Sequence, residues 1–72
     1  MEDTVRLVKI RRLAESGALR PLRYTAGFSL SEGGAGAGVD RTTIHRWETG
    51  TRRPTGAGAV RYMKLLEELA GV

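Results

Sequence analysis

Arg41, Thr42, His45 and Arg46 fall within one short run and carry polar groups of three kinds. A guanidinium is a rigid fork that donates to two acceptors at once, which suits guanine O6 and N7 or a phosphate. Threonine offers a methyl and a hydroxyl, for a thymine methyl or a base edge, and imidazole can donate or accept. Ile44 and Trp47, three apart, share the opposite side of a helix. Asp40 stands where a side chain can cap that helix by accepting from the N–H of Thr42 or Thr43. Gly50 stands where a left-handed C-cap residue is expected. The spacing therefore predicts a short helix over 40–49 with an apolar back and a cationic front, a shape able to enter a major groove. Trp47 is core in this reading, not a stacking platform for single strands. Glu48 lies near the helix C-terminus, a poor place for an unpaired carboxylate. Arg52, Arg53 or an arginine of residues 18–24 is expected to partner it.

Whole-chain properties narrow the chemistry further. The 72 residues suit one small domain, expected to span 1–72. Ten arginines and two lysines face eight acidic residues, for a net charge of +4, which favours a polyanionic partner. There is no cysteine and His45 is the sole histidine, so thiolate and multi-histidine metal sites are excluded. No residue pair offers a nucleophile with its base, and no carboxylates cluster; no enzyme activity, catalytic residue, cofactor or small-molecule substrate is expected. The sequence has neither a long apolar run nor a basic-apolar leader, and a cytoplasmic location without membrane contact is expected.

The elements that mount this helix can be read outward from it. Residues 4–16 form an N-terminal helix capped by Asp3 or Thr4, with Leu7, Ile10, Leu13 and Ala14 inward and Val8 widening the stripe. A strand over 5–10 is the rival reading, but it alternates poorly and has no partner. Residues 18–24 make a second helix with Pro21 in its first turn, Leu19, Leu22 and Ala26 inward, Tyr24 half-buried, and Gly27 closing the segment. Arg20 and Arg23 can reach solvent or phosphate, and Phe28 anchors the next turn in the core. Ser29 and Glu32 have capping-box spacing. The glycine-rich run 33–38 then leaves two choices: a helix whose small residues permit close approach, or a loop. After the 49–56 loop, whose N–H groups, hydroxyls and arginines can grip phosphates, Gly56-Ala57-Gly58 makes a weak start and residues 59–70 form the clearest helix. Its stripe is Ala59, Tyr62, Met63, Leu66, Leu69 and Ala70, with Arg61 or Lys64 paired to Glu68 and with Leu65 or Val72 available to a second subunit.

Over roughly residues 20–70, and most specifically from Gly38 to Pro54, the chain resembles the helix-turn-helix domain of the Cro and lambda-repressor-like, or Xre-like, family of bacterial and phage regulators. Ala26-Gly27-Phe28-Ser29, the run Gly38-Val39-Asp40-Arg41-Thr42-Thr43-Ile44-His45-Arg46-Trp47-Glu48-Thr49-Gly50, and Arg52-Arg53-Pro54 carry the resemblance. Gly34, Gly38 and Ile44 occupy the family's small residue, turn glycine and branched apolar position. Leu30 stands where the family has a glutamine that helps seat the motif on DNA, and Gly33 where it has a core leucine. That second change implies a thinner core or a shifted helix, with Leu30 or the N-terminal helix filling the space.

The resemblance implies an all-α, compact four- to five-helix bundle with its motif over 29–49 and 4–16 as an added N-terminal helix. It implies base reading by Arg41, Thr42, His45 and Arg46, and phosphate contacts from Thr43, Arg52, Arg53, Arg23 and Ser29. The expected structural core contains Phe28, Ile44, Trp47, Met63 and Leu66. The expected function is sequence-specific binding of double-stranded DNA by a small transcriptional regulator, most simply a repressor, with a possible homodimer. The alternatives are a protein-interaction module that keeps the fold without operator binding, and an antitoxin or excision accessory protein.

Overall fold

Five helices follow one another in the computed structural model, which describes residues 2–72, with only the backbone for Glu2: α1 (Glu2–Glu15), α2 (Leu19–Ala26), α3 (Leu30–Ala37), α4 (Arg41–Thr49) and α5 (Gly56–Ala70). The architecture is an all-α bundle. Ile10, Leu19, Ala37, Ile44, Trp47, Ala59, Tyr62, Met63 and Leu66 form one buried cluster drawn from every helix. α5 contacts α1, α2 and α3, while α4 packs chiefly on α3.

α1 starts earlier than its apolar pattern indicates. Asp3 and Thr4 lie inside its first turn and are not caps, although an acidic side chain is still favourable at that end. Ile10 is fully buried, with Leu7, Leu13 and Ala14 packed beside it. Val8 does not widen the inner stripe; it is exposed together with Val5. The helix is tied to α5 by Glu67, which accepts from Arg6 Nε at 3.0 Å and Lys9 Nζ at 3.5 Å.

In α2, Leu19 is buried and Leu22 and Ala26 are partly so. Tyr24 is a correction to the expected half-buried residue. It is exposed, with the Arg23 guanidinium carbon 4.9 Å from its ring centre.

The glycine-rich run is a helix. At its start Ser29 Oγ accepts from Glu32 N at 3.1 Å and Glu32 Oε1 accepts from Ser29 N at 2.8 Å, the reciprocal pair of a capping box. Close approach explains the small residues. A Cβ on Gly33 would lie 2.7 Å from Phe28 Cε1 and 3.1 Å from Tyr62 Cε1, and one on Gly34 would lie 2.7 Å from the Val39 carbonyl oxygen. The space of the absent leucine is thus taken by two rings, not by Leu30 or α1. Phe28 and Tyr62 pack edge to face at 5.9 Å, and Trp47 lies 5.8 Å from Tyr62 on another side. Gly38 ends α3 in the left-handed region at φ 69°, which turns the chain sharply into α4.

α5 begins at Gly56, so the weak glycine-containing start belongs to the helix. Ala59, Tyr62, Met63 and Leu66 are its buried stripe; Leu69 falls outside it and is exposed. Arg61 does not serve Glu68. Its Nε donates to the Ala37 carbonyl at 2.7 Å, satisfying a carbonyl at the open end of α3.

Candidate nucleic-acid interface

The site is built on α4, whose two anchors are sealed below it. Ile44 has no exposed surface and Trp47 retains 2%. Their three-residue spacing turns Arg41, Thr42, His45 and Arg46 outward, and all four are exposed. Thr43 is half-buried at the edge of this face. Asp40 occupies the N-cap position with extended backbone (φ −71°, ψ 145°), but its carboxylate makes no capping bond. The expected side-chain cap is therefore corrected: the Thr43 N–H donates to the Asp40 carbonyl at 3.0 Å instead.

Gly50 takes the left-handed conformation at φ 78° and closes α4. The following turn is drawn onto one acceptor. Thr51 N and Arg52 N donate to the Arg46 carbonyl at 3.0 and 3.3 Å, joined by the Thr49 and Thr51 hydroxyls at 3.3 and 3.4 Å. These N–H groups are thereby occupied inside the protein and are not the free phosphate donors that the loop composition suggested. The side chains of Arg52 and Arg53 remain exposed beyond the turn.

Arg23 is also corrected. Its side chain does not reach toward a phosphate; it is 8% exposed and donates to Glu48 Oε2 from Nε at 2.6 Å, to Glu48 Oε1 from Nη2 at 3.4 Å, and to the Phe28 carbonyl at 3.2 Å. The hydrogen bond to Glu48 raises the Arg23 pKa above its usual value, against the opposing effect of burial. The fully buried Glu48 side chain also accepts from the half-exposed Arg20 at 3.3 Å. Glu48 thus finds the partner expected from residues 18–24, not Arg52 or Arg53, and the pairing clamps the C-terminal turn of α4 to α2.

The arrangement brings Arg41, Thr42 and His45 together with Leu30 of α3 around a shallow depression. Arg46 lies outside that depression, toward the turn. Ser29 is exposed at the start of α3, with its oxygen already accepting within the capping box. Phe28 is partly buried, while Met63 and Leu66 are fully so. Three contributors were not evident from periodicity: Arg61 and Glu67 each hold one helix to another, and Arg11 holds α1 to the loop before α5. Long polar side chains on a helix edge give no sequence signal of which carbonyl or charge they will meet. Among the described residues no helix is long and apolar enough to cross a membrane, and no acidic, histidine or cysteine cluster could hold a metal.

Comparison with known families agrees with this geometry. A model described as a helix-turn-helix domain matches residues 16–68, well over half of the chain, and spans α2 to most of α5. No match is found among curated proteins or among solved structures. Two short helices joined at a glycine turn, the second backed by Ile44 and Trp47 and fronted by arginines, occupy the centre of the matched region; the chain belongs to the helix-turn-helix domain family, in keeping with its Xre-like resemblance.

Proposed function

We propose that the protein binds double-stranded DNA in a sequence-specific manner through α4 and acts as a small transcriptional regulator, most simply a repressor of bacterial or phage origin. The observation that carries this reading is the exposed set Arg41, Thr42, His45 and Arg46 on a helix pinned from behind by Ile44 and Trp47. In the groove, Arg41 and Arg46 would address guanine edges, Thr42 a methyl or base edge, and His45 a further acceptor or donor. Thr43, Ser29, Arg52 and Arg53 would position the helix through phosphates, which fix register without reading sequence. Repression follows from occupancy of a promoter and requires no second activity. The whole chain acts as one domain in this account, with α1 added to the family's core. A homodimer would place two recognition helices about 34–36 Å apart on a palindromic site.

Selection from a random duplex pool by the purified protein tests the reading. An enriched motif is expected, with affinity falling steeply as salt rises because each neutralised phosphate releases counterions. Enrichment of no motif, with equal affinity for selected and scrambled duplexes at fixed salt, would leave a protein-interaction role for the fold.

A further inference from the structure

A second polar recess lies apart from the depression over α4. It is a notch between the C-terminal half of α1 and the turn after α4, walled by Arg11, Glu15, Gly50, Arg52, Arg53 and Pro54. Three guanidinium side chains from two separate stretches meet there against the single carboxylate of Glu15. Elsewhere Arg6, Arg20 and Arg23 find carboxylates, and Arg61 a helix-end carbonyl. Arg11, Arg52 and Arg53 form no ion pair among the described residues, Glu15 included.

Arg11 is also held in place before any ligand arrives. It is half-buried, and its Nε donates to the Pro54 carbonyl at 2.8 Å, while Pro54 itself is buried. That bond orients the guanidinium plane and leaves its two terminal nitrogens for another acceptor. A fixed fork loses less freedom on binding than a free side chain, and its donor spacing matches two oxygens of a phosphate.

We propose that this notch binds one phosphodiester of the DNA backbone, with Arg11 acting beside Arg52 and Arg53, so that α1 extends the duplex interface beyond the family-matched region. The inference rests on the duplex-binding reading above. A phosphate flanking the groove entered by α4 is the anion that this position favours, since the notch borders the turn that leaves that helix. α1 thus has a role besides covering the core: it supplies a pre-oriented backbone contact.

The test uses the duplex enriched by the wild-type protein, resynthesised with one neutral methylphosphonate at each backbone position in turn. At one position per bound copy, the neutral linkage is expected to weaken the wild type about five-fold and Arg11→Gln less than about two-fold, with the variant's salt slope shallower by ~0.9 on the unmodified duplex. Arg11→Met, which keeps much of the aliphatic stem, repeats the comparison should Arg11→Gln fail to melt cooperatively. If the variant loses the same factor as the wild type at every phosphate, Arg11 makes no phosphate contact and α1 does not extend the interface, which overturns the proposal while duplex binding still stands. If the wild type enriches no duplex, the underlying reading falls and the notch proposal with it.

Discussion

At the scale of single residues, the side chains proposed to read sequence are distinct from those that hold the fold. Arg46→Ala is expected to remove about 1–3 kcal/mol of discrimination between the selected duplex and its single-base variants. Arg52→Ala should weaken all duplexes more evenly and lower the salt slope by ~0.9. Fluorescence anisotropy across a salt series checks both. Glu48→Ala would leave the 8% exposed Arg23 without its carboxylate; removing one partner of a buried pair typically costs about 3–5 kcal/mol, and thermal melting should show a large loss. The exposed positions were legible because Ile44 and Trp47 define the inner face and leave the rest outward. The pairing of Glu48 with arginines of residues 18–24 was legible as well, because a carboxylate near a helix C-terminus needs a cation. That Arg23 would be the buried one was not, because it depends on the angle at which α2 crosses α4. Periodicity carries no information on that angle.

Tyr62 gives a further prediction at this scale. Its hydroxyl is buried and has no hydrogen-bond partner among the described residues. An unsatisfied buried hydroxyl costs about 1–3 kcal/mol, so Tyr62→Phe should raise the melting temperature while preserving the ring packing with Phe28 and Trp47. Burial foremost, then the Glu48 charge, raises the Tyr62 pKa above its usual value. The unfolded chain therefore loses this proton first, near pH ~10. The contribution is intact below that pH and lost as pH rises through it toward the folded value. The phenylalanine variant should show a flatter decline in melting temperature on the alkaline side, and an identical decline would contradict the buried, unpaired placement.

At the scale of elements, α3 is the informative case. Its start was legible in Ser29 and Glu32, whose spacing matched the reciprocal bonds that form. Ser29→Ala should cost ~1 kcal/mol, seen as a melting temperature lower by about 4–8 °C for a domain of this size. Its body was ambiguous, since glycine weakens a helix locally and only tertiary contacts can compensate. Those contacts are now specific. Gly34→Ala would push a methyl to 2.7 Å from the Val39 carbonyl oxygen and should destabilise the turn into α4, despite alanine's better helix propensity. A stabilised Gly34→Ala variant would mean that α3 and α4 are farther apart than described. The early start of α1 is not legible for a related reason: its first turn carries polar residues, which extend a helix without extending its apolar stripe.

At the scale of the whole molecule, a net charge of +4 is distributed unevenly in its consequences. Arg6 and Lys9 join α1 to α5, while Arg20 and Arg23 clamp α2 to α4. The side chains of Arg41, Arg46, Arg52 and Arg53 stay exposed around α4 and the turn that follows. The paired cations fix orientation, and the exposed ones are those that the proposed duplex contact uses. The most direct measurement is amide chemical-shift mapping of the isotope-labelled protein during titration with its selected duplex. The account predicts that the largest shifts cluster at 41–46 and 52–53, with the outer valines of α1 and the exposed Leu69 region of α5 little changed. Shifts concentrated on those outer faces, with α4 silent, would contradict it.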